Sequence, residues 1–385
     1  MTVTQNISKL KHLLQLFDLS IDELLNIINQ GLKTPITKDE IFAKDINLNY
    51  LKRIDKVFNK GLHFYVDPVL PISNNEAGVF FRKQKFNTEL NFASKKVVNH
   101  FEELKISLSA ISKLSGIQTE RIIPIYTLDT NPRTIAGEIR KILYPNFSSD
   151  LKKFLVALIE KFAEQNILVF EFVEYWNQKE KTNIDGFFIH PNVIVLKRNQ
   201  SSFRREIFTL IHELAHFLIN EEEIEKLDYR NIGSTAPSKI EKWCNDFAFY
   251  FLSGDYSSEI DEIKIVNSSN DYKYDEIEEI SKSTNISKIA IYTRLLYENK
   301  ISKNDYKKIQ NDFEEKYLAK LRDAERIKNK KKEAGEKMGG SAPQPIKSPL
   351  LISTIQSAYY EGILTEYEVC QKLSISSKKF SEFIQ

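Results

Sequence analysis

The sequence predicts an α+β chain that is predominantly helical and carries one small sheet. Most of the chain has apolar residues at helical spacing, and residues 167–197 hold three runs with strand character. The 385 residues suffice for two or three domains, and a hydrophobic content of 42% allows a packed core. The net charge is only +2, so any contact with nucleic acid or an anionic membrane requires a local patch.

Residues 1–70 predict a helical module in which Ser20 is the N-cap of the second helix. Short helices joined by tight turns are typical of a helix-turn-helix, which would bind DNA through residues 1–60. A plain helical bundle explains the same pattern, so both interpretations stay open. The helices are expected over 7–17, 21–28 and 48–58, and the positive charges are Lys9, Lys11, Lys52, Arg53 and Lys56.

Residues 75–130 predict a helical connecting region, with a strand or a strand-like linker over 76–86 and an amphipathic helix over 89–115. The next module, 131–255, combines helices and strands. Its helices are expected over 133–143 and 151–165, the second capped by Ser149, and its strands over 167–176, 186–190 and 193–197. The last two strands flank Pro191-Asn192, which predicts a β-hairpin.

The C-terminal third predicts a helical region over 256–320, a flexible linker over 321–349 and a small helical appendage over 350–385. The linker prediction depends on dense charge followed by Gly, Ser and Pro. A solvated linker explains the charge better than contact with phosphate does. The helices of the appendage are expected over 350–362 and 365–373.

Cys244 and Cys370 are the two cysteines, which excludes a disulfide framework and favours a reducing compartment. The N-terminal residues lack the apolar stretch of a secretory signal, and no apolar run approaches the roughly 20 residues that span a bilayer. We therefore expect a cytoplasmic protein without membrane contact.

The chemistry is concentrated in an H-E-x-x-H motif, His212-Glu213-Leu214-Ala215-His216. On a helix, histidines four residues apart lie on one face, so both imidazoles can reach one metal ion. Glu213 then lies beside the site, where a general base for water is needed. The helix is otherwise apolar, and buried polar groups without partners are costly. Two satisfied core histidines with a salt-bridged glutamate are the weaker alternative.

A catalytic Zn²⁺ site needs a third protein ligand and one open position. The other four histidines precede the motif, so we expect a carboxylate or, less favoured, a thiolate. Glu241 is the preferred residue because it lies on a second apolar helix 25 residues after His216. A capping box formed by Ser238 and Glu241 is the competing explanation. The other candidates are Cys244, Glu221 and Glu222.

Further site residues are less defined. Asn245 lies one helical turn after Glu241 and can orient a ligand. A donor for the oxyanion of peptide hydrolysis is also needed, and the sequence does not choose among His190, Tyr229, Arg230 and Tyr250. The hairpin over 186–197 either offers its edge to an extended peptide or only packs on the motif helix.

Three segments resemble the ImmA/IrrE family of metallo-endopeptidases. They are RREIFTLIHELAHFLI (204–219), EKWCNDFA (241–248) and IDGFFIHPNVIVLKRN (184–199). The helix over 133–143 is similar to the one that opens the family's catalytic domain. Departures from the family pattern are mild: Cys244 and Ile211 replace the usual Ala, and Ala215 replaces a frequent Gly.

The resemblance implies a zincin-like catalytic domain in which His212, His216 and Glu241 bind zinc and Glu213 is catalytic. It also implies a bacterial or mobile-element protein, often with an Xre-like helix-turn-helix at its N-terminus. Such proteins commonly cleave or inactivate a repressor that controls gene transfer, prophage or stress responses. The alternatives are a non-proteolytic regulator that binds DNA or a repressor, and a component of a toxin–antitoxin or phage-defence system.

Overall fold

The computed structural model describes residues 1–69, 90–174, 180–198, 202–222, 238–333 and 344–384. Its elements confirm the predicted α+β, predominantly helical class. The chain divides into two compact units, one of Met1–Glu103 with Glu180–Asn183 and one of Leu104–Lys179 with Ile184–Gln385. The strand or strand-like linker predicted over 76–86 lies outside the described residues.

The first unit is built from short helices around an apolar core that includes Leu10, Leu24 and Ile54. Ser20 caps the second helix and forms a capping box with Glu23, as its position predicts. The helices are α1 (Ile7–Phe17), α2 (Ile21–Ile28), α3 (Lys38–Ile41), α4 (Leu48–Phe58) and α5 (Leu62–Val66). The three predicted helices are confirmed, whereas DNA binding by this unit stays a prediction.

The first unit also contains a two-stranded antiparallel ladder that the sequence pattern does not indicate. Its strands are β1 (Thr2–Thr4) and β2 (Asp45–Asn47). A strand of three residues is too short for alternation to stand out, so only the pairing across about 40 residues reveals it.

Helix α6 (Phe92–Leu114) lies within the predicted amphipathic helix and spans the division between the units. In the second unit, Asp150 rather than Ser149 caps the helix after α7, because its carboxylate accepts hydrogen bonds from the amides of Lys152 and Lys153. The elements that follow are α7 (Pro132–Leu143), α8 (Leu151–Glu164), β3 (Leu168–Val173), β4 (Gly186–Ile189), β5 (Val193–Arg198), α9 (Phe203–Ile219) and α10 (Lys239–Ser253).

The three strands form a sheet in the order β3-β5-β4, in which β3 is parallel and β4 antiparallel to β5. The predicted hairpin is therefore confirmed. Helix α9 packs on β4 and β5, and α10 packs on α7 and α9. This arrangement places the H-E-x-x-H helix between the sheet and a second apolar helix.

The remaining elements belong to the second unit and are predominantly helical. They are α11 (Tyr256–Glu262), a 3₁₀ helix (Ser268–Lys273), α12 (Tyr274–Thr284), α13 (Lys288–Tyr297), α14 (Lys303–Glu333), α15 (Pro349–Tyr360), α16 (Glu366–Leu373), a 3₁₀ turn (Ser377–Lys379) and α17 (Phe380–Ile384). Among the described residues, no helix has both the length and the apolar character needed to cross a membrane.

One prediction for the C-terminal third needs correction. Helix α14 continues to Glu333, so the first part of the predicted linker over 321–349 is helical. The reason is that Lys, Arg, Glu and Ala favour helix as well as solvent exposure. The two helices predicted after the linker are confirmed as α15 and α16, and α15 contacts α8 and β3 within the second unit. The amides of Ile346 and Lys347 also donate to the buried Glu171 carboxylate, at 3.0 and 2.7 Å.

Candidate metal centre

Helix α9 carries the H-E-x-x-H motif and is buried on nearly all its faces. Ser202 caps its first turn by accepting a hydrogen bond from the Arg205 amide. Its end is fixed by Asn220, which adopts the left-handed conformation that asparagine tolerates after a helix. The helix that carries the motif thus begins and ends with a specific cap.

The structure brings His212, His216 and Glu241 together, as the sequence predicts. The two imidazole Nε2 atoms lie 3.2 Å apart. Glu241 Oε2 lies 3.1 Å from His212 Nε2, and Oε1 lies 3.3 Å from His216 Nε2. All three side chains are at most 4% exposed. The group is therefore a compact, buried set of nitrogen and oxygen atoms that face one another.

The orientation of His216 directs its Nε2 atom to the centre of this set. His216 Nδ1 lies 3.1 Å from the carbonyl oxygen of Glu221, which can only accept a hydrogen bond, so Nδ1 is the donor and Nε2 is the nitrogen that faces Glu241. This nitrogen and the Glu241 carboxylate face the same point, so both could be ligands of one metal ion. Two nitrogen ligands of a tetrahedral zinc ion stand about 3.3 Å apart, close to the observed separation.

Glu241 reaches the histidines from the first turn of α10. Ser238 Oγ accepts a hydrogen bond from the Glu241 amide at 3.1 Å, so the predicted cap is present. The carboxylate nevertheless faces the imidazoles, and the capping and ligand explanations are compatible. Burial opposes ionisation of this carboxylate, but His212 and His216 outweigh it and hold the pKa of Glu241 below its ordinary value.

Glu213 is buried next to this group on α9, with the amide of Phe188 on β4 as a hydrogen-bond donor. Burial raises the pKa of Glu213 to about 8. His216 opposes this increase, whereas the charges of Glu241 and Asp185 add to it. A carboxyl with such a pKa can take up and release a proton near neutral pH, as a general base must.

Gly186 lets β4 approach Glu213 closely. A Cβ atom at this position would lie 2.7 Å from Thr209 Cγ2, 3.0 Å from the Val195 carbonyl oxygen and 3.1 Å from Glu213 Cγ. All three distances are shorter than an ordinary van der Waals contact. Because residue 186 lacks a side chain, β4 can lie directly against the Glu213 side chain of α9.

The other predicted site residues are less clearly placed. Asn245 is partly buried one turn after Glu241 on α10. His190 is exposed in the β4–β5 turn, where its Nδ1 lies 2.7 Å from Asn220 Oδ1 and its amide donates to Glu222. Tyr229 and Arg230 lie outside the described residues.

The Tyr250 hydroxyl accepts a hydrogen bond from the Arg294 guanidinium at 2.7 Å. That guanidinium also pairs with Asp246 on α10 and with Glu298. Tyr250 therefore takes part in the contact between α10 and α13, and nothing described connects its hydroxyl to the metal-binding group. Cys244 is buried but is not in that group.

Two contacts that sequence reasoning missed support the motif helix. Arg121 donates to the carbonyl oxygens of Phe217 and Leu218 at the end of α9, and its guanidinium stacks on the Phe217 ring at 3.8 Å. The second contact is the Glu221 carbonyl that orients His216. The left-handed cap at Asn220 gives a sequence signal for this turn, whereas no local pattern connects Arg121 to α9.

The fold and the buried group of two histidines and one glutamate are compatible with a metallopeptidase domain. A comparison with known families agrees, because residues 164–296 match the family described as IrrE N-terminal-like domain, Peptidase_M78. Residues 164–296 are thus similar to the ImmA/IrrE metallopeptidase family, which confirms the predicted resemblance over this segment. The match extends beyond α10 through α12 and almost all of α13. The searches of curated proteins and of solved structures gave no match.

Proposed function

We propose that this chain is a zinc-dependent endopeptidase that hydrolyses a peptide bond in a protein partner. The observation that carries this proposal is the buried convergence of His212, His216 and Glu241 beside Glu213. Two imidazoles and one carboxylate form a donor set of catalytic zinc sites that keep a fourth position open. Zinc held there would supply a Lewis acid that polarises a peptide carbonyl and lowers the pKa of water.

Glu213 would accept the proton of the attacking water and deliver it to the leaving amine. This role is supported by its burial, its position next to His212 and a pKa raised to about 8. The strand β4 lies at an edge of the sheet, since the order is β3-β5-β4. An extended substrate segment can add to such an edge through its main chain, which would place the peptide beside α9.

We further propose that the substrate is a DNA-binding repressor that controls a mobile-element, phage or stress response in a bacterium. The support is the ImmA/IrrE-type domain together with helices over residues 1–60 that would bring the protein to DNA. A cytoplasmic location follows from such a substrate. A non-proteolytic regulator that binds the repressor or DNA, or acts in toxin–antitoxin or phage defence, is the alternative that the experiments below distinguish.

Metal analysis tests the centre itself. We expect about one zinc ion per chain in the purified protein, and loss of most of it in Glu241→Ala. Glu262→Gln is the matched control, because this acidic residue is exposed on α11. Full zinc retention in Glu241→Ala with normal folding would remove Glu241 from the ligand set.

Co-expression with a candidate repressor, in the first place one encoded next to this gene, tests the reaction. We expect cleavage by the wild-type chain and none by Glu213→Gln, which should keep its zinc and its fold. If Glu213→Gln retains full biological activity, the protein acts by binding rather than by hydrolysis.

A further inference from the structure

Helix α14 contains a long stretch that is not packed on other described residues. Phe313 is the last of its described side chains that is partly buried. Beyond it, every side chain described up to Lys330 is exposed, including Tyr317 at 52% and Ile327 at 56%. At 1.5 Å per residue, the helix from Phe313 to its end at Glu333 is about 30 Å long. The described side chains of this stretch are therefore open to solvent or to a partner.

The exposed stretch is strongly basic. Residues 320–332 contain seven Lys and Arg residues and two acidic residues, although the whole chain is nearly neutral. Arg322, Arg326 and Lys330 follow one another at intervals of four residues, so they form a row along one side of the helix. Like charges at this spacing destabilise an isolated helix, and an anionic partner would relieve their repulsion.

We propose that residues 320–332, the basic segment of α14, bind the phosphate backbone of duplex nucleic acid. Duplex DNA carries one negative charge per about 1.7 Å of its axis. A helix with closely spaced cations can therefore contact several phosphates at once. Its major groove is about 12 Å wide and admits an α-helix, flanked by two rows of phosphates. This site is independent of the metal centre and of the proposed peptidase activity.

The small number of apolar residues argues against an anionic membrane as the partner. Residues 320–332 contain two large apolar residues, Leu321 and Ile327, against seven Lys and Arg residues. The binding of a helix in a membrane interface scales with the apolar area that it buries, and two such residues supply little of it.

The test is fluorescence anisotropy of a short labelled DNA duplex of mixed sequence, titrated with the full chain at several salt concentrations. The variant Arg322→Gln, Arg326→Gln, Lys330→Gln removes three cations that do not contact the core. Because each phosphate contact contributes about one to the slope of log Kd against log salt, we expect that slope to fall by about three. At low salt, the affinity should fall about tenfold or more.

The matched control is Lys141→Gln, Lys152→Gln, Lys153→Gln, which removes the same charge from exposed positions on α7 and α8, outside the segment proposed to bring the protein to DNA. We expect its salt slope to equal that of the wild type, and circular dichroism should show that both variants keep their helices. An equal loss of affinity in both variants, or a loss in the control alone, would overturn the proposal. Wild-type binding to phosphatidylserine vesicles without binding to the duplex would also overturn it.

Discussion

Gly186 is the position where a single added carbon should most directly disturb the site. In Gly186→Ala the new Cβ would meet Thr209 Cγ2 at 2.7 Å, the Val195 carbonyl oxygen at 3.0 Å and Glu213 Cγ at 3.1 Å. The carbonyl belongs to the backbone of the paired strand β5 and cannot rotate away, while Thr209 and Glu213 lie on α9, so β4 must shift with respect to both neighbours. Overpacking of this kind costs about 1–3 kcal/mol.

The assay is urea unfolding combined with zinc content and cleavage of the protein partner. We expect Gly186→Ala to unfold at a lower urea concentration than the wild type. Its cleavage rate should fall by more than the loss of folded protein alone explains, because Glu213 loses its position. Gly137→Ala is the control, since nothing lies within 4 Å of a Cβ added there. Gly137 lies within α7, so alanine at that position should stabilise the protein by about 0.5–1 kcal/mol.

A second substitution tests whether the contact with the Thr209 methyl group causes the loss of stability in Gly186→Ala. Thr209→Ser removes the methyl group that the new Cβ approaches most closely, so it should restore part of the stability of Gly186→Ala. The double-mutant cycle isolates this coupling, because the two residues are in contact. If Gly186→Ala is as stable and as active as the wild type, or if Thr209→Ser gives no coupling, the close approach of β4 to α9 does not position Glu213.

The remaining predictions concern stability. In metal-free protein the folded state keeps the Glu213 proton up to pH about 8, while the unfolded state releases it near 4.5. The free energy of unfolding should therefore fall as pH rises between these values, by up to about 1.4 kcal/mol per pH unit, and Glu213→Gln should remove this slope in urea titrations at several pH values. Arg121→Ala should lower the free energy of unfolding by about 2–3 kcal/mol, because it removes charged hydrogen bonds to two carbonyls of α9 and a stack on Phe217. The exposed Arg322→Ala should change it by less than about 0.5 kcal/mol, and an equal effect of both would contradict the anchoring role of Arg121.

The motif helix was predictable because its information is local. The spacing of His212 and His216 and the apolar residues around them determine both the helix and the convergence of the imidazoles. Glu241 required one additional step, the need for a third ligand on a second apolar helix. That step could be taken because acidic residues on apolar helix faces are few.

Helical geometry also contains information that residue type alone does not give. Asn245 lies four residues after Glu241, which is nearly the same side of α10. Tyr250 lies nine residues after Glu241, which is about half a turn round the helix and toward Arg294. An oxyanion role for Tyr250 is chemically reasonable, but its position on the helix argues against it.

Contacts between distant segments were not predictable. Gly186 and Glu213 are 27 positions apart, and β1 and β2 pair across about 40 residues. In each case the sequence near one partner contains no sign of the other. Composition alone does not distinguish a linker from a helix at the end of α14, because the charged residues that indicate a linker are also strong helix formers.

The site contains two buried carboxyl groups whose pKa values are displaced in opposite directions. Burial opposes the charged form of both, but Glu241 faces two imidazoles, whereas Glu213 faces one and also the charges of Glu241 and Asp185. Glu241 therefore favours its ionised form, as the proposed role of a metal ligand requires. A bound cation would lower the pKa of Glu213 from its metal-free value. The upward displacement caused by burial opposes this effect, so in the proposed reaction the carboxyl group could still retain a proton between the water and the leaving amine.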